Sequence, residues 1–244
     1  MSQGRAPARL QSRTRHASSI RMPRPSKTPR PAAARDGDDH AGGSPSLGEQ
    51  AYVAVKRMIL SHELRPGEHI NVAQLCQRLD LGRSPIHLAT HRLAREGLVE
   101  ILPRKGLLVK AETLDGFLEL IAARQLIEPF LTGLAVDHMN PEIVRQLQEL
   151  VDAGWERYRA KDHAGGMEID RRFHHLLYDT ADNRTLSDFA ALLLDRSMLL
   201  WFRPKVDAGE RANVAELEDL LDCIRRGDRA GAVRTMEAHV GSVR

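Results

Sequence analysis

Asp170 and His174 stand four residues apart in Asp170-Arg171-Arg172-Phe173-His174. If the stretch is helical, a carboxylate and an imidazole lie one above the other on one face. Such a pair can take two ligand positions on one divalent ion, or it can be no more than a hydrogen-bonded pair on a helix surface. His239, near the end of the chain, can come from a facing helix as a third donor. Arg124 and Glu128 repeat the four-residue spacing with opposite charges. That guanidinium either clamps the carboxylate of a bound acid or forms an ion pair along its own helix. A third group is basic and polar: Arg83, Ser84, His87 and His91 on one stretch, and Arg104-Lys105-Gly106 on another. Side chains of these types reach phosphate oxygens and base edges, and a glycine at the tip allows close approach to a groove.

The surrounding pattern supplies the elements that must hold these residues. Over 48–62, Tyr52, Val55, Ile59 and Leu60 recur at helical spacing. Arg65-Pro66-Gly67 is a turn, and His69-Ile70 is long enough for one β-bridge. Asn71 caps a second helix whose apolar face is Val72, Leu75, Cys76 and Leu79. Asp80-Leu81-Gly82 breaks it, and a third helix covers 83–96, with Pro85 in its first turn and Gly97 at its end. Two strands follow, Leu98–Ile101 and Leu107–Lys110. Helix, helix-turn-helix and hairpin together make a winged helix-turn-helix over 49–110, with the recognition helix sized for the major groove of double-stranded DNA.

From 111 to 244 the pattern is helical throughout, with helices near 112–137, 141–161, 164–180, 184–203, 208–226 and 228–241. The fold class is therefore mainly α: a winged helix-turn-helix followed by an antiparallel helical bundle. Core candidates in the bundle are Leu118, Ile121, Leu126, Phe130, Leu134, Phe173, Leu176, Leu177, Leu192, Leu193, Leu200, Leu220 and Ile224. Trp155, Tyr158 and Trp201 fit core or dimer contacts, and His175 is out of phase with the Asp170–His174 face.

Charge is distributed unevenly along the 244 residues. Residues 1–35 hold nine Lys and Arg and no acid; 36–110 hold ten basic and nine acidic residues; 111–244 hold seventeen and twenty-four. A polyanion partner at the front alone accounts for this arrangement. Residues 1–48 contain six of the twelve prolines and no aromatic residue, too little apolar surface to offset ordering entropy. That tail reads as disordered: a basic arm for non-specific DNA contact, a solvated extension, or the product of an upstream start codon with Met22 as a later one. With two cysteines a disulfide scaffold is excluded, and no apolar run is long enough for a membrane span.

The stretch LRPGEHINVAQLCQRLDLGRSPIHLATHRLAREGLVEILPRKGLLV resembles the DNA-binding domain of the GntR family of bacterial transcription regulators. The resemblance rests on Pro66-Gly67, Leu75, Leu79, Arg83, Pro85, Ala89, Leu93, Glu96 to Val99 and Gly106. It implies operator contacts at Arg83, Ser84 and Gly106. Gly82, His87 and Thr90 depart from the family pattern, where Ser or Thr, Arg and Leu are usual. His87 cannot make the bidentate guanine contact of an arginine, so the family's usual operator does not carry over.

AARQLIEPFLTGLA, DRRFHHLLYDTADN and LLDCIRRGDRAGAVRTMEAHV are similar to the ligand-binding FCD domain of the FadR-like branch. That similarity implies a homodimer, a small carboxylate effector near Arg124, and a divalent metal (Zn, Ni or Mn) on Asp170, His174 and His239. The branch's remaining histidine would fall at Leu217; Glu216, Glu218 and Asp219 beside it point elsewhere around the helix, so either three ligands and a water hold the ion or the pocket is metal-free. The expectation is a cytoplasmic, ligand-responsive DNA-binding regulator and not an enzyme. The alternatives are a metal-dependent hydrolase and a non-specific DNA-binding protein.

Overall fold

The computed structural model describes residues 45–199 and 207–242; the tail over 1–44, Leu200 and Trp201 lie outside these. In chain order the elements are α1 (Leu47–Leu60), β1 (His69–Ile70), α2 (Val72–Leu79), α3 (Arg83–Arg95), β2 (Val99–Leu102), β3 (Gly106–Val109), α4 (Leu114–Asp137), α5 (Pro141–Arg159), α6 (His163–Thr180), α7 (Arg184–Met198), α8 (Asp207–Arg225) and α9 (Arg229–Ser242). The protein is mainly α with one small sheet. Among the described residues, no helix is long and apolar enough to cross a membrane.

The helix starts follow from capping chemistry. Asn71, Asn140 and Asn183 each accept a backbone N–H with their side chains, and Pro141 fills the first turn of α5, where its missing donor costs nothing. Gly82 begins α3 with no side-chain cap, as its lack of a hydroxyl dictates.

The sheet runs β1-β3-β2, antiparallel throughout, with Leu107 between Ile70 and Ile101. The strands are one residue out from the expected Leu98–Ile101 and Leu107–Lys110, because Gly106 joins the ladder opposite Leu102. A Cβ on Gly106 would sit 2.4 Å from the Ile70 carbonyl oxygen, and its φ is +96°. Only glycine fits there. The three helices and the sheet close over one core built on Val55, Ile59, Leu75, Ile86, Leu93, Leu98 and Leu107.

Helices α4 to α9 bury a second core around Ile121, Leu131, Leu147, Phe173, Leu177, Leu217, Leu220 and Met236. Three expected core residues are exposed instead. Leu118, Leu126 and Phe130 are 40%, 80% and 51% exposed. Helix α4 is apolar around most of its circumference, so periodicity alone did not show which face packs. Leu134, Leu176 and Leu192 are half-buried. Trp155 meets Tyr158 edge to face, 6.0 Å between centroids, and donates to Glu218 Oε2 at 3.2 Å.

Candidate metal centre and nucleic-acid interface

Helices α6 and α9 bring Asp170, His174 and His239 together, all buried. His174 Nε2 and His239 Nε2 are 3.1 Å apart. Asp170 Oδ1 lies 3.5 Å from His239 Nε2 and 3.9 Å from His174 Nε2. The other nitrogen of each imidazole faces an acid. His174 Nδ1 is 2.7 Å from Glu128 Oε2, and His239 Nδ1 is 2.9 Å from Glu216 Oε2. A ring that donates from Nδ1 to a carboxylate turns the Nε2 lone pair inward, which is how metal-binding histidines are oriented. Two inward lone pairs at 3.1 Å repel unless a cation or a proton lies between them.

Two further observations fit a cation. Asp170 Oδ2 is buried with no hydrogen-bond partner among the described residues, while Asn213 donates to Oδ1 at 3.0 Å. The charge count agrees. Asp170, Glu128 and Glu216 touch the two imidazoles with three negative charges, and Arg124 on Glu128 offsets one, so two neutral imidazoles leave an excess matching one divalent ion. Without an ion, protons carry that burden. Burial alone would lower the pKa of His239, but its contacts with Asp170 and Glu216 outweigh this and raise it to about 9. Burial opposes ionisation of Asp170 and Glu128. Hydrogen bonding to His239 and the nearby imidazoles hold Asp170 well below the usual carboxylate range. Arg124 and His174 hold Glu128 at about 2.

Arg124 is buried against Glu128, its Nε donating to Oε1, with Nη1 donating to Ser197 Oγ at 3.0 Å. It therefore sits one residue behind His174, joined to it through Glu128. His175 faces away from the centre, towards Arg171 and Asp195, and burial with the Arg171 charge lowers its pKa to about 4. Glu128 and Glu216 as imidazole partners, and Asn213 as partner of Asp170, are absent from the sequence reading. Leu217 is buried in the bundle core and offers no donor atom.

At the other end of the molecule, the first turns of α3 leave Arg83, Ser84, His87 and His91 exposed on one side. The turn between β2 and β3 exposes Arg104 and Lys105, Arg104 with φ +64°. A cleft between the two is lined by Asn71, His87, Thr90, Arg104, Lys105 and Gly106. Thr90 is buried and spends its hydroxyl on the His87 carbonyl at 3.0 Å, so it faces the core side of the cleft. His87 on the groove-sized helix and Arg104, Lys105 and Gly106 on the basic turn thus line one cleft.

Residues 47–109 match the model for bacterial regulatory proteins of the gntR family, and residues 119–242 match the FCD domain. The chain belongs to the GntR family. Among its GntR relatives is YdhC of Bacillus subtilis, an uncharacterized HTH-type transcriptional regulator, 29% identical over 143 residues. That alignment spans 57% of this chain and 62% of YdhC, so this chain covers less than two thirds of that relative. The HTH-type transcriptional repressor NanR of an Enterobacter species is 26% identical over 221 residues, 81% of this chain and 84% of NanR. The solved structure of E. coli McbR/YncC shares the GntR fold with TM-score 0.75 at 20% identity, over 81% of this chain and 95% of that one. A GntR regulator from a Rhodococcus species does so with TM-score 0.69 at 18% identity, with the same coverage.

Proposed function

We propose that this GntR-family chain is a ligand-responsive, DNA-binding transcription regulator of the bacterial cytoplasm. Residues 49–110 hold operator DNA and residues 111–244 bind the effector. The observation that carries the reading is the pairing of an exposed, basic, groove-sized surface at one end with a buried, acid-rich cation site at the other. Arg83 and Ser84 approach base edges or phosphates from the first turn of α3, with His87 and His91 one and two turns further along the groove. Arg104 and Lys105 contact the backbone or minor groove from the hairpin tip, where Gly106 keeps the turn close.

In the bundle, Asp170, His174 and His239 would hold a divalent cation such as Zn²⁺, Ni²⁺ or Mn²⁺. Bound there, the ion supplies a Lewis-acid position that a small carboxylate can complete. Asn213 orients Asp170, while Glu128 and Glu216 orient the two imidazoles. Arg124 adds positive charge on the same side, and the effector reaches it by competing with Glu128. The role is binding rather than turnover. The unpacked apolar residues Leu118, Leu126 and Phe130 on α4, with Phe189 on the neighbouring α7, support a homodimer that presents two DNA-binding heads.

The test uses a duplex selected from a random pool by the full chain. Replacing Arg83 by Ala weakens binding to that duplex by roughly 1–3 kcal/mol and leaves binding to random DNA nearly unchanged if Arg83 reads a base edge. Equal loss on both would make Arg83 a phosphate contact, and no loss on either would remove α3 as the recognition helix.

A further inference from the structure

Five consecutive residues at the end of α7 face the DNA-binding head on one side and the candidate cation site on the other. Asp195, 1% exposed, has Oδ2 2.6 Å from Lys56 Nζ of α1 and Oδ1 2.7 Å from Arg171 Nε of α6. Arg196 pairs with Glu112, in the segment joining the two parts, at 2.7 Å, and its side chain lies against Gly97. Ser197 accepts from Arg124. The Met198 carbonyl oxygen is 3.2 Å from His62 Nε2, just past α1. Leu199 is buried in the core of the head.

Both flanks of this turn lead on to functional groups. Lys56 also meets Glu96 at 2.9 Å, and Glu96 meets Arg92 of the recognition helix at 3.3 Å. Arg171 follows directly on Asp170, and Arg124 is joined through Glu128 to His174. Apart from the Met198 carbonyl and the inserted Leu199, the contacts are made by polar side chains. No helix of the head is among the main packing partners of a bundle helix among the described residues. A junction in which Leu199 is the one apolar anchor has little packed core to hold it, whereas each buried ion pair holds its partners firmly. Asp170 and His174 are thus linked by contact or sequence to both flanks of the turn.

We propose that the last turn of α7 carries cation occupancy to the DNA-binding head, with Asp195 as the positioning residue that acts through Lys56. This rests on the cation reading of the site given above. Contact alone does not establish coupling; a reciprocal change in two affinities does.

The full chain, stripped of metal by a chelator, is titrated with Zn²⁺ alone, and its affinity for the selected duplex is measured with and without the ion. Wild type is expected to show a DNA affinity altered by roughly 5–150-fold, with DNA altering Zn²⁺ affinity by the same factor. Lys56→Met leaves Asp195 paired with Arg171. It should bind Zn²⁺ within about twofold of wild type and lose the mutual effect. Lys56→Arg should keep the effect, and Ser197→Ala, which severs the other flank, should reduce it. Full coupling in Lys56→Met overturns the proposal, whatever Ser197→Ala does. So does a wild type that takes up Zn²⁺ with its DNA affinity unchanged. A wild type that takes up no Zn²⁺ overturns the cation reading and this proposal with it, an outcome told apart because uptake is measured directly.

Discussion

Glu216 lies 2.9 Å from the outer nitrogen of His239 and contributes no atom to the inner face of the site. In the proposed cation site its part is to fix the tautomer and the ring angle. Partners of this kind are commonly worth roughly 10–100-fold in metal affinity. Glu216→Gln is therefore expected to weaken Zn²⁺ binding by about that factor while the one-to-one stoichiometry persists, both read by titration calorimetry; unchanged affinity would show His239 to be held by other means. The four-residue spacing of Asp170 and His174 was legible because helical geometry alone places them on one face. Their convergence with His239 depended on resemblance, since no local rule pairs residues 65 positions apart. Glu128 was read only as a partner for Arg124. Its second contact, to His174, arises where α4 and α6 pack, and nothing in either segment alone encodes that meeting.

Among the elements, helices and caps were the most legible part, because Asn71, Asn140-Pro141 and Asn183 act within one turn of chain. The wing was legible to within a residue, the error arising at Gly106, whose place in the ladder depends on the Ile70 carbonyl across the sheet. The exposed stripe of α4 was not legible. Its residues carry the same hydrophobicity as those that pack, and only the arrangement of the neighbouring helices separates them. The junction at the end of α7 was invisible for a similar reason, since Asp195 is an ordinary helix acid until Lys56 and Arg171 reach it from two other helices.

That junction also carries a pH dependence. Burial lowers the pKa of His62, and the contact with the Met198 carbonyl only partly offsets this. The folded state therefore prefers the neutral ring. The stability it contributes is fully present above the unfolded histidine value of about 6.5 and is lost as pH falls through the lowered folded value. Thermal unfolding between pH 8 and about pH 5 should show a falling midpoint in wild type and a shallower fall in His62→Gln. Identical slopes would place the acid sensitivity elsewhere.

On the scale of the whole molecule, charge differs between head and bundle. The head presents Arg83, Arg104 and Lys105 to solvent, whereas the bundle buries Glu128, Asp170 and Asp195 and leaves most of its other acids exposed. Two heads reading one operator need a dimer, and half-sites about one helical turn apart, roughly 34–36 Å, follow from two-fold symmetry. Leu126, at 80% exposure, is the most exposed of the large apolar residues on α4. Leu126→Glu should shift the full chain from dimer towards monomer in light scattering, with little change in helix content. A variant that stays dimeric would move the interface off this face.

The most direct test of a ligand-responsive regulator is the affinity of the metal-loaded full chain for its selected duplex, set against random DNA of equal length at physiological salt. The account predicts a paired half-site sequence bound at least about a thousandfold more tightly than random DNA, with that ratio altered when Zn²⁺ is removed by a chelator. A ratio near one, the same with and without the ion, would contradict it and leave a protein that coats DNA without reading it.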